Sequence, residues 1–392
     1  MKKVVIILLI SLIGQSSYSQ DPSFSQFDLN MMYMNPAFVG YEKEHRILIH
    51  RRNQWIGIPE NFNTNIIEVS PLYLHNDKNG ILGRTSALAL GFFFIEDHEN
   101  RVFKNSTFGG AISYIGQLSK RDYINFAVQP IFYTKRLSWD ELVFSDQWTD
   151  YGVFYEQSSA IQPSTNYNVF DVGSGILWTR HGKYSGNSDQ RITIGFAGQH
   201  LFSPIVSFYG NQNSDSQYPI KLTLHGEFFS GFPDYVLKSI RFGKVMFRHQ
   251  VHLKTFNKTE IGGMLTLANK IHLESGIIYR RARTYDKKYM SESLVPIIRM
   301  RLAVFERTGL EISYSYDYTI SKLRHENTMM TNEISINLYF MNNKKRVCPA
   351  VGKWGPKGSR PSEKSGNNKK WEDVEFNRGK YNRFGKKNRG NW

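Results

Sequence analysis

The chain has 392 residues, with 50 Lys or Arg against 34 Asp or Glu for a formal net charge of +16, and its one cysteine, Cys348, excludes an internal disulfide. A mean hydropathy of -0.44 and a single long apolar run exclude a bundle of membrane-spanning helices. Aromatic residues make up 14%, with 22 Tyr and 27 Phe, which leaves a large aromatic-rich β fold, either a soluble sandwich or a membrane barrel.

In chain order, Lys2 and Lys3 precede a core, Val4 to Ile13, that is apolar except for Ser11, and Ser17 and Ser19 stand where a signal peptidase reads small residues. The core is too short to span a bilayer, which takes about twenty apolar residues, so residues 1–19 read as a cleaved signal peptide and Gln20 as the first mature residue. Residues 20–43 read as a pre-barrel plug segment. Asn35-Pro36 favours a turn, Gly40 supplies a conformation other residues avoid, and Tyr33 and Phe38 are expected to anchor the segment inside the periplasmic mouth.

About fourteen strands are expected over 44–341. They centre on Ile47 to Arg51, Asn65 to Leu74, Ser86 to Ile95, Phe108 to Leu118, Tyr123 to Lys135, Val169 to Arg180 and Arg191 to Phe202. Then come Pro219 to Phe229, Val245 to Phe256, Glu260 to Leu267, Ile271 to Arg281, Leu294 to Phe305, Leu310 to Ile320 and Asn332 to Phe340. The strongest signal is Leu310 to Ser321, where Leu310, Ile312, Tyr314, Tyr316, Tyr318 and Ile320 alternate without exception with polar residues. Glu333 to Phe340 repeats the pattern. Long two-faced strands behind an export signal predict an all-β, antiparallel up-and-down transmembrane barrel in the outer membrane of a Gram-negative cell, with outer-membrane lipid around it.

An even strand number returns both termini to the periplasm. The connections near Ser119-Lys120-Arg121 and Arg307-Thr308-Gly309 are then short periplasmic turns and the long one from Arg136 to Asn168 lies outside, while the tight hairpin near Asn257-Lys258 is an exception on the outer side. Arg280, Arg299, Arg301, Glu311, Asp317 and Glu333 are assigned to the lumen, paired with one another, because Arg or Lys facing lipid costs about 2 to 4 kcal/mol at the midplane.

Catalytic patterns are missing: no Gly-x-Ser-x-Gly elbow, no His-Glu-x-x-His pair, no phosphate loop and no cysteine pair for zinc. Asp140 and Glu141, if extended, point to opposite faces, and His200, on the face of Ile192, Ile194 and Phe196, reads as a packed histidine rather than a metal ligand. No enzyme, cofactor or metal is expected. The end of the chain, 342–392, holds fifteen Lys or Arg against four acidic residues, which assigns it +11 and leaves +5 for everything before it. It reads as a basic, flexible periplasmic tail; with Trp371, Phe376, Tyr381 and Phe384 interleaved among its cations nucleic acid is a conceivable partner, but one that an exported chain seldom meets.

Several segments resemble the PorP/SprF family of the type IX secretion and gliding machinery. They are Gln20-Asp21-Pro22-Ser23-Phe24-Ser25-Gln26-Phe27, Met34-Asn35-Pro36-Ala37-Phe38-Val39-Gly40 and Arg52-Asn53-Gln54-Trp55, then Leu142-Val143-Phe144-Ser145-Asp146-Gln147 and Phe170-Asp171-Val172-Gly173-Ser174-Gly175. Gly198-Gln199-His200-Leu201 with Pro204, Tyr316-Asp317-Tyr318 and Asn332-Glu333-Ile334 complete the set, so the similarity spans Gln20 to Phe340. It implies a non-enzymatic outer-membrane barrel that helps export or retain proteins carrying a C-terminal signal domain, especially large surface adhesins, alongside periplasmic and outer-membrane secretion or motor components. Candidate partner contacts are Asn35, Pro36, Phe38, Trp55, Asp146 and Gln147 in these motifs and Trp371 and Phe376 in the tail; Trp55 equally suits an outer aromatic girdle. A diffusion porin and an outer-membrane hydrolase are the alternatives.

Overall fold

The computed structural model describes residues 21–340 apart from 42–44, 58–60, 78–85, 149–157, 161, 184–188, 209–216, 233–239, 254–256, 269–271, 284–288, 306–307 and 322–329. Residues 1–20 and 341–392, and with them Trp371 and Phe376, lie outside the described residues.

Fourteen antiparallel strands close into one barrel in which each strand pairs with its sequence neighbours and the last pairs with the first. They are β1 (His45–Gln54), β2 (Phe62–Asp77), β3 (Ser86–Glu99), β4 (Phe103–Gln117), β5 (Asp122–Leu137), β6 (Asn166–Lys183) and β7 (Asp189–Gln199). The second half comprises β8 (Lys221–Gly231), β9 (Ile240–His252), β10 (Asn257–Ala268), β11 (His272–Arg283), β12 (Tyr289–Phe305), β13 (Thr308–Thr319) and β14 (Thr331–Phe340). The seam is a full ladder, from His45 opposite Phe340 to Asn53 opposite Asn332. Strands of 10 to 18 residues meet the nine to eleven that a tilted membrane strand needs.

Alternation sets the two faces. On β13, Glu311, Ser313, Ser315 and Asp317 are buried inside while Tyr314 and Tyr318 are exposed outside. On β14, Glu333, Ser335 and Asn337 lie within and Ile334 and Ile336 without, and the register sets Ser315 beside Glu333 and Ser313 beside Ser335. The same outward belt continues through Phe94, Phe108, Phe132, Phe170, Phe196 and Phe228. In a membrane protein this apolar belt meets lipid and the polar face is the interior.

β1 begins and β14 ends at one end of the barrel, here the near end. The two longest connections, 138–165 and 200–220, are both at the opposite, far end. The tight β9–β10 connection is also at the far end, as the sequence indicated, and so is the short one between β3 and β4.

The core sits inside the barrel and is completed by residues 21–41. Phe24, Met32 and Val39 of that segment pack on Ala89, Phe93, Ile95, Ile115 and Ile131 of the wall. Phe27 and Met34 pack on Met246, Met264, Ile278, Val295 and Ile297. The segment contains one helical turn, Met31–Met34, and one 3-10 turn, Pro36–Phe38, in which the Asn35 side chain accepts a hydrogen bond from the Ala37 amide. Gly40 has φ +81, and a Cβ there would fall 2.3 Å from Ile115 Cδ1, so both its conformation and its close approach require glycine.

One local expectation is corrected. β7 stops at Gln199 rather than Phe202 because His200 turns left-handed at φ 58, which swings its ring off the lipid-facing row of Ile192, Ile194 and Phe196 and into the interior. Asp140 and Glu141 lie in the connection after β5, in a 3-10 turn, Trp139–Glu141.

Candidate functional site in the lumen

The polar inner wall and the 21–41 segment form one network, built in layers from the far end. There, the Asp21 carboxylate lies 2.8 Å from His200 Nε2 and 2.5 Å from Lys221 Nζ. His200 Nδ1 lies 2.7 Å from Asp171 Oδ2, and the ring stacks on Tyr218 with centroids 4.7 Å apart. Both ring nitrogens face carboxylates and can both donate only on an imidazolium, so neither is placed to act as a general base.

One layer nearer the middle, Glu333 accepts the backbone amides of Ser25 at 2.6 Å and Gln26 at 2.9 Å, and Arg52 Nη1 at 2.5 Å. Ser25 Oγ accepts from Arg52 at 2.8 Å and Arg280 at 2.5 Å and donates to Asp317 at 2.7 Å. Arg280 also reaches Asp317 and Glu260, each at 2.9 Å, and Arg248 donates to Glu260 and to the Phe24 carbonyl. Three buried guanidiniums, Arg52, Arg248 and Arg280, thus face three buried carboxylates, Glu260, Asp317 and Glu333, which is the pairing that buried charge requires.

Toward the near end, Asp28 pairs with Lys244 at 2.6 Å and Arg299 at 3.1 Å, and Glu274 bridges the same two cations at 3.1 and 2.9 Å. The carbonyls of the segment are taken up by wall side chains: Asn125 on Ala37, Gln129 on Met32, Gln199 on Tyr33 and Tyr73 on Gly40. A segment with little internal secondary structure satisfies its backbone in this way. Beside it, toward the near end, lies a cavity of about 200 Å³ with a floor of Phe27, Met31, Met34 and Phe38.

Of the residues singled out in the sequence, Asn35 is fully buried: its amide donates to the Ile176 carbonyl at 3.1 Å and meets His225 Nε2 at 2.9 Å. Gly175 makes this possible, since a Cβ there would stand 2.0 Å from Asn35 Oδ1. Pro36 opens the 3-10 turn, and Phe38 stacks on His225 at 5.0 Å. The segment runs deeper than the near-end mouth, for Tyr33 packs edge-on against Phe93 and bonds the Pro22 carbonyl. Trp55 stands past the far end of β1, edge-on to Phe62 at 5.3 Å. Asp146 is exposed and fastens its own loop by accepting from the Ser158 hydroxyl and the Ser159 amide and hydroxyl, while Gln147 accepts from the Phe144 amide. The predicted luminal ions all face the interior, but in two groups: Arg280 pairs with Asp317, Arg299 and Arg301 pair with Glu311, and Glu333 takes Arg52 as its partner. Lys221, Lys244, Arg248, Glu260 and His225 were overlooked, although Lys244 and Arg248 alternate with outward Val245 and Phe247.

The sequence motifs thereby acquire a common purpose. Asp171 holds His200, Gln199 holds Tyr33, Asp317 and Glu333 hold Ser25, and Arg52 joins them. Segments far apart in the chain converge on residues 21–41.

A lipid-facing aromatic belt around a charged, filled interior defines an outer-membrane β-barrel. The chain matches the family described as Type IX secretion system membrane protein PorP/SprF over residues 16–338, and it belongs to that family. It is an outer-membrane component of type IX secretion. The search of curated proteins gave no match. Among solved structures, the Ralstonia pickettii toluene transporter TbuX is 11% identical, with a TM-score of 0.45 over 79% of this chain and 92% of that one. The CymD monoaromatic hydrocarbon channel is 9% identical, with a TM-score of 0.43 over 79% and 92%. The beta domain of the Bordetella autotransporter BrkA is 8% identical, with a TM-score of 0.36 over 77% and 100%.

Proposed function

We propose that this protein is a closed, non-enzymatic docking barrel of the secretion machinery. It receives the C-terminal signal domain of a secreted protein, such as a large surface adhesin, at its far end, and the basic stretch 342–392 meets periplasmic secretion or motor components from the near end. The even strand number supports this orientation, since it puts both ends of the barrel wall on one side, which for barrels of this class is the periplasm, and the two longest connections on the other.

The observation that carries the reading is the segment 21–41, tied across the lumen by Asp21, Ser25 and Asp28. A diffusion porin needs a continuous water-filled bore, and an ion-paired segment stands across it. The surface side supports docking as well. The connections 138–165 and 200–220 are joined where the Ser164 amide donates to the Phe208 carbonyl and the Phe208 ring packs on Phe103 and Tyr167, which gives a built rim rather than two separate loops.

Deletion of the gene tests the proposal. Surface display of an adhesin with a type IX signal domain is expected to fall, with the adhesin released to the medium or retained, while small-solute uptake is unchanged. Impaired uptake with normal adhesin display would refute docking and favour the porin.

A further inference from the structure

The outer wall changes character along one strand register toward the far end. A cross-strand row of outward residues on β14 and β1 to β5, namely Ile336, Ile49, Ile67, Phe94, Phe108 and Phe132, is apolar throughout. The next row toward the far end is Ile334, Arg51, Asn65, Glu96, Ser106 and Thr134, and the one beyond it is Asn332, Asn53, Asn63, His98, Lys104 and Arg136. Each of these lies two or four positions from the apolar row, so all point outward. The belt on β1 to β5 therefore stops at one register and polar residues follow, which is the pattern of a barrel wall where acyl chains give way to headgroups.

The two polar rows carry three cations, Arg51, Lys104 and Arg136, against one carboxylate, Glu96. Glu96 is already taken by Lys104, with His98 Nε2 at 3.6 Å. Arg51 is exposed and donates its Nε–H to Asn53 Oδ1 at 2.9 Å; its two Nη groups have no partner among the described residues. Asn65 stands beside it on β2 with its side-chain amide likewise unpartnered among the described residues. Arg136 is exposed and without an ion pair among the described residues, Asp140 and Glu141 of the following turn included. Lys104 and Arg136 stand directly opposite each other on β4 and β5, a like-charge pair that destabilises a sheet unless an anion lies between them.

We propose that this border is a binding surface for the phosphate groups of anionic membrane lipid, one phosphate held by Arg51 with Asn65 and another between Lys104 and Arg136. The guanidinium fork meets two phosphate oxygens at once. The occupant is a lipid rather than a soluble anion because the apolar row directly below, Ile49 and Ile67 under one site and Phe108 and Phe132 under the other, is where the acyl chains of the same molecule lie. The surface is outside the lumen, so the proposal does not depend on which passenger or machinery the barrel serves.

Lipid A, a phosphate-bearing glycolipid, is the probe. Full-length protein in mild detergent is mixed with lipid A and the bound fraction is read by native mass spectrometry. The unaltered protein is expected to retain the lipid, and Arg51→Gln and Arg136→Gln each to weaken retention about tenfold, the effect of losing one charge-assisted contact. Arg51→Lys keeps the charge without the fork and should fall between; it also serves if Arg51→Gln gives no heat-modifiable, folded band. Arg180→Gln alters an exposed cation near the opposite end that is already paired with Asp122 at 3.4 Å, and should change nothing. Inorganic phosphate at the concentration of the lipid should not displace it. Equal retention by the unaltered protein, Arg51→Gln and Arg136→Gln, or release by that inorganic phosphate, would overturn the proposal.

Discussion

Replacing Glu333 by alanine removes the one carboxylate that holds two consecutive amides of the luminal segment, those of Ser25 at 2.6 Å and Gln26 at 2.9 Å. It also takes the partner at 2.5 Å from Arg52, which keeps only Asp317 at 3.3 Å as a carboxylate. All these groups are buried. A buried amide without an acceptor costs about 1 to 3 kcal/mol, and breaking a buried ion pair about 3 to 5 kcal/mol. The costs overlap, because one hydrated lumen relieves them together, so about 5 kcal/mol is the expected loss for the seated segment. At 1.4 kcal/mol per factor of ten, the ratio of seated to released segment falls by three to four orders of magnitude, to about 10⁻³ to 10⁻⁴ of its former value. The fourteen-strand ladder does not pass through this contact, and the heat-modifiable band of a folded barrel should persist. Two assays follow the segment itself. Planar-bilayer recordings should show larger and more frequent conductance steps for Glu333→Ala than for the unaltered protein, and chymotrypsin should cut after Phe24 or Phe27, which are buried when the segment is seated. Glu333→Gln keeps an acceptor oxygen and should fall between the two. A folded Glu333→Ala barrel with unaltered conductance and full protease protection would refute the view that this carboxylate anchors the segment.

Gly40→Val should also unseat the segment, since a side chain at φ +81 costs about 1 to 2 kcal/mol before its clash with Ile115 is counted; the same chymotrypsin assay reads it. Ile336→Arg places a charge in the lipid belt and should cost about 2 to 4 kcal/mol, seen as a smaller heat-modifiable fraction, whereas Ile336→Leu should leave assembly unchanged. Truncation after Phe340 should preserve the barrel, because β14 is complete there, and should abolish salt-sensitive co-purification of periplasmic partners.

The wall of this barrel was legible in the sequence because period two is enforced from both sides. Outward residues such as Ile334 and Ile336 must suit lipid, and inward ones such as Glu333 and Ser335 must suit a polar interior, so β13 and β14 announce themselves. β3 is harder to read, since Ala87, Ala89, Phe93 and Ile95 face inward against Phe24, Met32 and Val39, leaving apolar residues on both faces. Strand ends set by a single backbone angle were not legible. His200 continues the alternation in sequence but not in space, and its left-handed turn alone moves it from the lipid row to Asp171 and Asp21. The path of residues 21–41 was hidden for a related reason. Its neighbours are supplied by β1 to β14 at separations of up to 308 residues, and no local pattern encodes them.

The filled interior follows from barrel size. At fourteen strands the bore is wider than the small barrels whose interior side chains fill them unaided, so inward polar groups must meet either water or another piece of chain. Residues 21–41 supply that piece, and their bonds to the wall run mainly through side chains that water can also satisfy: Asn125, Gln129, Gln199, Lys221 and Lys244. Withdrawal of the segment exchanges these bonds for hydration while each strand keeps both neighbours, so the wall does not have to unfold for the lumen to open. The apolar contacts of Phe24, Phe27 and Met32, together with the charge cluster at Ser25, then set the closed state, and a ligand opens the barrel only to the extent that it binds the vacated wall better than the seated one.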